Sequence, residues 1–268
     1  MDGRKKKFIK ELLEKPRARR SSGLFIVDGP KMCAEVPPEQ VEEIYVSEGL
    51  LASEHAGELS ELLGARGFEV ISDRDMKQIS DTVTPQGIIA LVRQRRTKGL
   101  GEILKGIAGS GASGLIVGLE AVQDPGNVGT ILRSAEAAGA SAVICDRDCA
   151  DIYAPKVVRS TMGAVLRLPV LQVEDLCVSA DRLMQEGFEV LAAHLKGSRD
   201  YDMADLTGPS YILIGNESRG LSEELSDRAT CLVKIPMLGH TESLNAAVAA
   251  SVILFEAARQ RRRGSGGC

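Results

Sequence analysis

Leu115-Ile116-Val117-Gly118-Leu119, then Asp124-Pro125-Gly126-Asn127, then Val128-Gly129-Thr130-Ile131-Leu132-Arg133 is the stretch whose reading decides the fold. An unbroken apolar run reads as a buried strand and Asp-Pro-Gly-Asn as a turn. Val128, Ile131, Leu132 and Ala135 then fall on one face of a helix. The alternation recurs down the chain. Strands are expected at Leu115–Leu119, Ala142–Cys145, Leu166–Val170, Glu189–Ala193, Tyr211–Ile214 and Cys231–Ile235. Helices are expected at Val128–Ala138, Ala154–Met162, Val173–Glu186, Glu223–Asp227 and Leu244–Arg262. Apolar strands separated by helices imply an α/β fold with a parallel sheet covered on both faces.

Working outward, the N-terminal part alternates less regularly. A basic helix at Arg4–Glu14 precedes strands at Leu24–Val27, Val41–Val46, Phe68–Ile71 and Ile88–Val92, with helices at Ser53–Arg66 and Asp73–Ile79. This predicts a small α/β domain over residues 1–97. Residues 98–113, dense in Gly and Ser, read as a linker with room for a short helix at Glu102–Ile107. Residues 114–268 form the second domain. From Ala246 to Phe255 the last helix is apolar or small on nearly every side, which predicts burial by its own domain and by a second copy of the chain.

The bulk composition excludes more than it selects. With 44 % apolar residues the chain is globular, and a net charge of −4 gives no global polyanion-binding signal. The cations are clustered instead, at Arg4–Arg20, at Arg93–Lys98 and at Arg259–Arg263, a pattern that suits solvated faces or the steering of a polyanion to one surface. The cysteines (33, 145, 149, 177, 231 and 268) have no CxxC spacing, so no metal is expected, and Cys145 and Cys231 read as buried thiols. No signal-peptide pattern or membrane-length apolar run is found, and a reducing cytoplasm is the expected location.

Three segments carry chemistry, each where a strand gives way to a loop. Asn127 is placed to cap its helix, Gly129 to allow close backbone approach, and Arg133, off the apolar stripe, to offer a forked donor to phosphate. On spacing alone, a capped amphipathic helix with a surface arginine is the plainer account. Gly215-Asn216-Glu217-Ser218-Arg219-Gly220-Leu221 follows a strand directly; it is either a plain turn or a loop presenting backbone groups to a ligand. Ile235-Pro236-Met237 ends the last strand, and Ser243-Leu244-Asn245 leads into the last helix, where Ser243 could serve simply as a cap.

In this order, N-x-G-x-x-x-R, G-N-E-x-x-G-L and I-P-M with S-L-N-x-A-x-A closely resemble the SpoU (TrmH-like) family of RNA 2′-O-ribose methyltransferases, over roughly Gly114–Arg262. The N-terminal domain, with its Thr84-Pro85-Gln86-Gly87-Ile88-Ile89-Ala90 run, resembles the ribosomal-protein-like (L30e/L7Ae-like) substrate-binding domain of many members. Ser218 stands where many members have Gly. The resemblance implies a SPOUT-type parallel sheet with a C-terminal trefoil knot and S-adenosylmethionine as cofactor. It implies cofactor contacts at Gly215, Ile235 and Leu244, with Asn216 and Met237 close by. The implied catalytic set is Asn127, Arg133, Glu217, Ser243 and Asn245, in a site shared by two protomers of a homodimer joined through the knotted domain and final helix. Arg133 would hold the adjacent phosphate and stabilise developing oxyanion charge, since a guanidinium hardly ever loses its proton. The N-terminal domain makes ribosomal RNA a better expected partner than transfer RNA, and no membrane is implied. The alternatives are a tRNA ribose methyltransferase, a base methyltransferase, or a non-catalytic RNA- or ribosome-binding factor. No G-x-G-x-x-G follows a strand, which argues against a Rossmann enzyme.

Overall fold

The computed structural model describes all residues except 54–56, 58–62, 65–66, 96–98, 112 and 266–268. The chain divides into two compact units, residues 1–96 with 151–166, and residues 97–150 with 167–268.

The first unit is built on strands β1 (Leu24–Asp28), β2 (Val41–Ser47), β3 (Glu69–Ile71) and β4 (Ile88–Arg93), in the order β1-β4-β2-β3. β4 runs antiparallel to β1 and β2, and β3 parallel to β2. Side chains alternate along β4, so both faces are buried. Ile88, Ala90 and Val92 join one apolar cluster, and Ile89 and Leu91 join another with Ile9 and Leu12 of the helix Gly3–Glu14. The helix expected at Ser53–Arg66 lies mostly outside the described residues. Residues 151–166 are integral to this unit: Val158, Val165 and Leu166 complete the first cluster, the Tyr153 ring lies 4.7 Å from that of Phe25, and Arg159 reaches Asp81 at 2.6 Å.

The second unit carries seven strands. They are β5 (Leu115–Leu119), β6 (Ala142–Cys145), β7 (Val170–Gln172), β8 (Glu189–Ala193), β9 (Arg199–Asp200), β10 (Ser210–Ile214) and β11 (Cys231–Lys234). Their order is β7-β6-β5-β10-β8-β11-β9, parallel throughout. One expected strand is displaced: Ala164–Arg167 is a helical turn and β7 starts at Val170. Pro169 explains the shift, because it has no N–H to give a ladder and only its carbonyl serves, accepting from Val143 N at 2.9 Å. The Gly/Ser-rich stretch carries the helix Leu100–Ser110, whose Leu100, Ile103, Leu104 and Ile107 pack on the same core as Ile116, Val190 and Tyr211. Their i, i+3, i+4, i+7 spacing was present in the sequence, masked by the glycines between.

The final helix, Ala246–Ser265, lies beside the helix Pro125–Ala137, where Ser134 Oγ and Ser251 Oγ meet at 2.7 Å. It buries Ala247, Ala250, Ile253, Leu254 and Ala257, and leaves Val248 and Phe255 about half exposed. Within the described residues no helix is long and apolar enough to cross a membrane.

Candidate active site

All seven strands of the second unit point the same way, so the segments that follow β5, β8, β10 and β11 gather at one edge of the sheet. The helix after β5 starts at Pro125, with Asp124 as its cap accepting from Asn127 N at 2.9 Å. Asn127 is therefore not the cap, as the turn had suggested. Proline suits the first helical position because its missing N–H would be unpaired there anyway. The Asn127 side chain is left free to bridge. Its Oδ1 accepts from Asn245 Nδ2 at 2.9 Å and its Nδ2 donates to Glu217 Oε1 at 2.7 Å. Residues from all three segments are thus joined in one chain of hydrogen bonds.

The loop after β10 folds back on itself. Asn216 bridges to Gly220, Gly220 takes a left-handed φ of 70°, and a Cβ on Gly215 would lie 2.3 Å from Gly220 C and Leu221 N. Glycine at 215 is therefore a packing requirement. Asn216 Oδ1 accepts from the backbone N–H groups of Ser218 and Arg219 (2.9 and 3.2 Å), and its Nδ2 donates to Ala121 O at 2.8 Å. That side chain is fully used in shaping the loop.

After β11, the chain lines a cleft of about 490 Å³. Ile235, Pro236, Met237 and Leu244 supply apolar wall, as do Ala193, Leu195 and Ile253, while His194, Asp200, Lys234, Glu242 and Ser243 supply polar groups. The size and the mixture are those of a site for one nucleoside-sized ligand. Ser243 is exposed and does not cap the final helix. Asn245 does, its Oδ1 accepting from Ala247 N and Val248 N at 2.9 and 3.3 Å. An amide oxygen satisfies two orphan donors while the amide nitrogen remains for Asn127.

Of the cofactor residues expected from sequence, Ile235, Met237 and Leu244 line this cleft, whereas Gly215 and Asn216 do not. Asn127, Glu217 and Asn245 are brought together, and Ser243 stands on the cleft wall. Arg133 is exposed and makes no ion pair or hydrogen bond among the described residues. Sequence reading missed Ala193, His194 and Leu195, which follow β8. The signal was available, since the C-terminal end of any strand in a parallel sheet is a candidate ligand position. His194 Nδ1 accepts from Lys196 N at 3.0 Å, which places its ring proton on Nε2.

Three of the buried thiols are poor candidates for a nucleophile. Burial pushes Cys33 and Cys149 well above the ordinary thiol range and Cys177 up to about 11. Cys145 is buried as expected, but Cys231 is only half-buried.

S-adenosylmethionine fits what the cleft offers: apolar walls for a purine ring, the Glu242 carboxylate for its cationic groups, and Lys234, 3.8 Å from Asp200, for its carboxylate.

In the first unit, much of the basic cluster has structural partners. Lys5 pairs with Glu43 and Glu69, Lys6 with Asp75, Arg93 with Glu42, and Arg19 is buried against Asp151. Lys7, Lys10, Arg17 and Arg20 remain exposed with no ion pair among the described residues.

Residues 114–255 match the SpoU rRNA methylase family, and residues 4–90 match the MRM3-like substrate-binding domain. The chain is 33% identical to the 23S rRNA (guanosine-2′-O-)-methyltransferase RlmB of Pseudomonas putida over 227 residues, 84% of this chain and 91% of that one. The SpoU methyltransferase AviRb of Streptomyces viridochromogenes, in complex with AdoMet, superposes with a TM-score of 0.84 at 29% identity, covering 100% of both chains. The AdoMet-bound rRNA methyltransferase of Sinorhizobium meliloti gives 0.78 at 30% identity, over 96% of this chain and 95% of that one. The chain belongs to the SpoU methylase family, with a substrate-binding domain ahead of the methylase domain.

Proposed function

We propose that this protein transfers a methyl group from S-adenosylmethionine to a ribose 2′-hydroxyl of structured RNA, with ribosomal RNA as its substrate. The observation that carries this reading is the Asn245–Asn127–Glu217 chain, which starts one residue beyond the cleft wall at Leu244 and joins all three motifs. Ile235, Met237 and Leu244 hold the cofactor between apolar surfaces, and the backbone at Gly215 and Asn216 closes the neighbouring loop. The bound cofactor supplies a methyl group on a sulfonium, whose leaving group is already good. What the protein adds is alignment of a poorly nucleophilic hydroxyl. Arg133, without a partner among the described residues, holds the substrate phosphate and stabilises charge developing on the 2′-oxygen. Asn127 and Glu217 orient the loop toward that hydroxyl, and Ser243 and Asn245 shape the pocket.

Three further points belong to this reading. The C-terminal segment forms a trefoil knot, as the family resemblance implies. Two copies associate through the exposed Val248 and Phe255 of the final helix, the helix packed beside the one that carries Arg133. The substrate-binding unit grips folded RNA by shape and phosphates, using Lys7, Lys10, Arg17 and Arg20. Ribosomal RNA is favoured because RlmB and the S. meliloti relative, both named for rRNA, align over 84% and 96% of this chain. Free thiols suit a reducing cytoplasm.

The test is transfer of labelled methyl to rRNA and tRNA separately, with nucleoside analysis, for wild type and Arg133→Ala. A 2′-O-methylnucleoside in rRNA is expected, with transfer at least about 10²-fold lower in the variant and cofactor binding retained. Near-normal turnover in Arg133→Ala overturns the role given to that side chain. Label confined to tRNA overturns the substrate.

A further inference from the structure

Behind the loop that carries Glu217 stands a second set of groups that none of the three motifs includes. Glu120 follows β5, its N–H donating to Ile214 O at 3.0 Å. Both of its carboxylate oxygens are spent on one residue, Ser222, where the loop ends. Oε2 accepts from Ser222 N and Oε1 from Ser222 Oγ, each at 2.6 Å. Ser222 Oγ in turn accepts from Leu225 N at 3.3 Å as the cap of the helix Glu223–Asp227. The other end of the loop is tied to the next residue along, through Asn216 Nδ2 and Ala121 O.

Ala121 itself has a φ of 50°, a left-handed conformation that residues with a Cβ rarely hold. Asp146, after β6, maintains it: Oδ2 accepts from Ala121 N at 2.9 Å, while Oδ1 accepts from Asp148 N and Cys149 N at 3.1 and 3.0 Å. Backbone strain kept in place by charged hydrogen bonds, directly beneath a candidate site, is the pattern of a pre-organised functional loop.

We propose that Glu120 and Asp146 are positioning residues for methyl transfer: together they fix the Glu120–Ala121 platform to which both ends of the 216–222 loop are fastened, and so set where Glu217 meets Asn127. This rests on the function proposed above. Neither carboxylate needs to touch substrate or cofactor. An acid at 120 suits the task because both ligands on Ser222 are donors. A glutamine keeps one acceptor for Ser222 N but loses the charge and offers Ser222 Oγ an NH2, so the hydroxyl must accept where it now donates.

The experiment compares wild type with Glu120→Gln, Asp146→Asn and Glu120→Gln/Ser222→Ala. Amide hydrogen exchange of the full-length protein is measured first, without RNA. Exchange at the Ser218, Arg219 and Gly220 amides is expected to rise about tenfold or more in the single variants, with β5 and β10 still protected. Unchanged loop protection overturns the proposal whatever the protein's activity. In the methyl-transfer assay, kcat is expected to fall about 10- to 100-fold, the scale of a misplaced catalytic group, with cofactor Kd unchanged. In kcat the double variant should lose little beyond Glu120→Gln, because both changes break the Glu120–Ser222 Oγ contact. The helix cap that Ser222→Ala also removes is read separately as a lower melting temperature. A lowered melting temperature with full kcat at assay temperature would make the two acids merely structural and also overturn it. Absence of transfer by wild type would instead count against the proposed function, leaving the exchange result to decide the role of the platform.

Discussion

Replacing Asp151 with alanine should lower the melting temperature of the first unit sharply, although the residue lies far along the chain from residues 1–96. The side chain of Arg19 is 3% exposed and that of Asp151 22%. Arg19 Nε and Nη2 both reach Asp151 Oδ2, at 2.9 and 2.8 Å, and Nη1 donates to the carbonyls of Leu12 and Leu13 at 2.6 and 3.1 Å. Removing the carboxylate strands a buried guanidinium, a loss of about 3–5 kcal/mol. The two carbonyls remain and Asp151 is partly wet, so the lower end, about 3 kcal/mol, applies. For a unit of roughly a hundred residues this is about 12 °C or more in melting temperature. The assay is thermal unfolding followed by circular dichroism, repeated at high salt, which should change the difference little because the Arg19 guanidinium is buried and salt screens such a pair weakly. Asp151→Asn, which keeps an acceptor, should lose less. Arg19→Met combined with Asp151→Ala should recover most of the loss, since an apolar replacement leaves no charge unpaired. A melting temperature within about 2 °C of wild type for Asp151→Ala would refute the reasoning, as would a double variant no better than the single one.

Three other outcomes follow from the second unit. Asn127→Ala and Glu217→Ala should each reduce methyl transfer about 10²-fold, and their combination should cost little more; multiplicative losses in steady-state kinetics would show that the two act separately. Gly215→Ala sets a methyl group 2.3 Å from the Gly220–Leu221 backbone and should cost more than about 2 kcal/mol, read by thermal melting; an unchanged melt would mean that the loop yields. If two copies associate as proposed, Phe255→Asp, which places a charge on a half-exposed apolar face, should shift sedimentation from dimer to monomer with loss of transfer. Persistence of the dimer would place the interface elsewhere.

The parallel sheet was legible because its strands are continuous apolar runs bounded by turn residues, and β5, β6, β8 and β10 need little correction. Motif order singled out the segments after β5, β10 and β11, and the fold brings them together. What sequence could not supply was the division of labour within each motif. Asn127 looked like a cap, but Asp124 with Pro125 takes that task, and Ser243 looked like a cap where Asn245 does the capping. In both cases two neighbouring residues had suitable side chains, and only the backbone path decides which one is in register with the first free N–H groups. Residues 151–166 were illegible for a different reason. Their apolar spacing shows that one face is buried, but not against which core. The pairing of Arg19 with Asp151 spans 132 positions, and no local pattern carries it.

The cleft and the hydrogen-bonded chain adjoin at Leu244 and Asn245 but use different atoms, and this separation has a kinetic consequence. The cleft is lined by residues of β8, β11 and the segments after them; the chain presents amide and carboxylate groups from the segments after β5, β10 and β11. In the function proposed above the cleft holds the cofactor, and binding energy spent there equally before and during transfer would tune affinity without speeding the reaction. The orienting role proposed for Asn127, Glu217 and Asn245 would matter only when the hydroxyl must meet the methyl group. Leu244→Ala should therefore weaken cofactor binding, as measured by calorimetry, with kcat at saturation largely kept. Asn245→Ala should leave binding near normal and lower kcat, after allowance for about 1 kcal/mol of lost helix capping. If the neighbouring substitutions gave the same split between affinity and turnover, cleft and network would be one device, and the separate roles assigned to them would have to be given up.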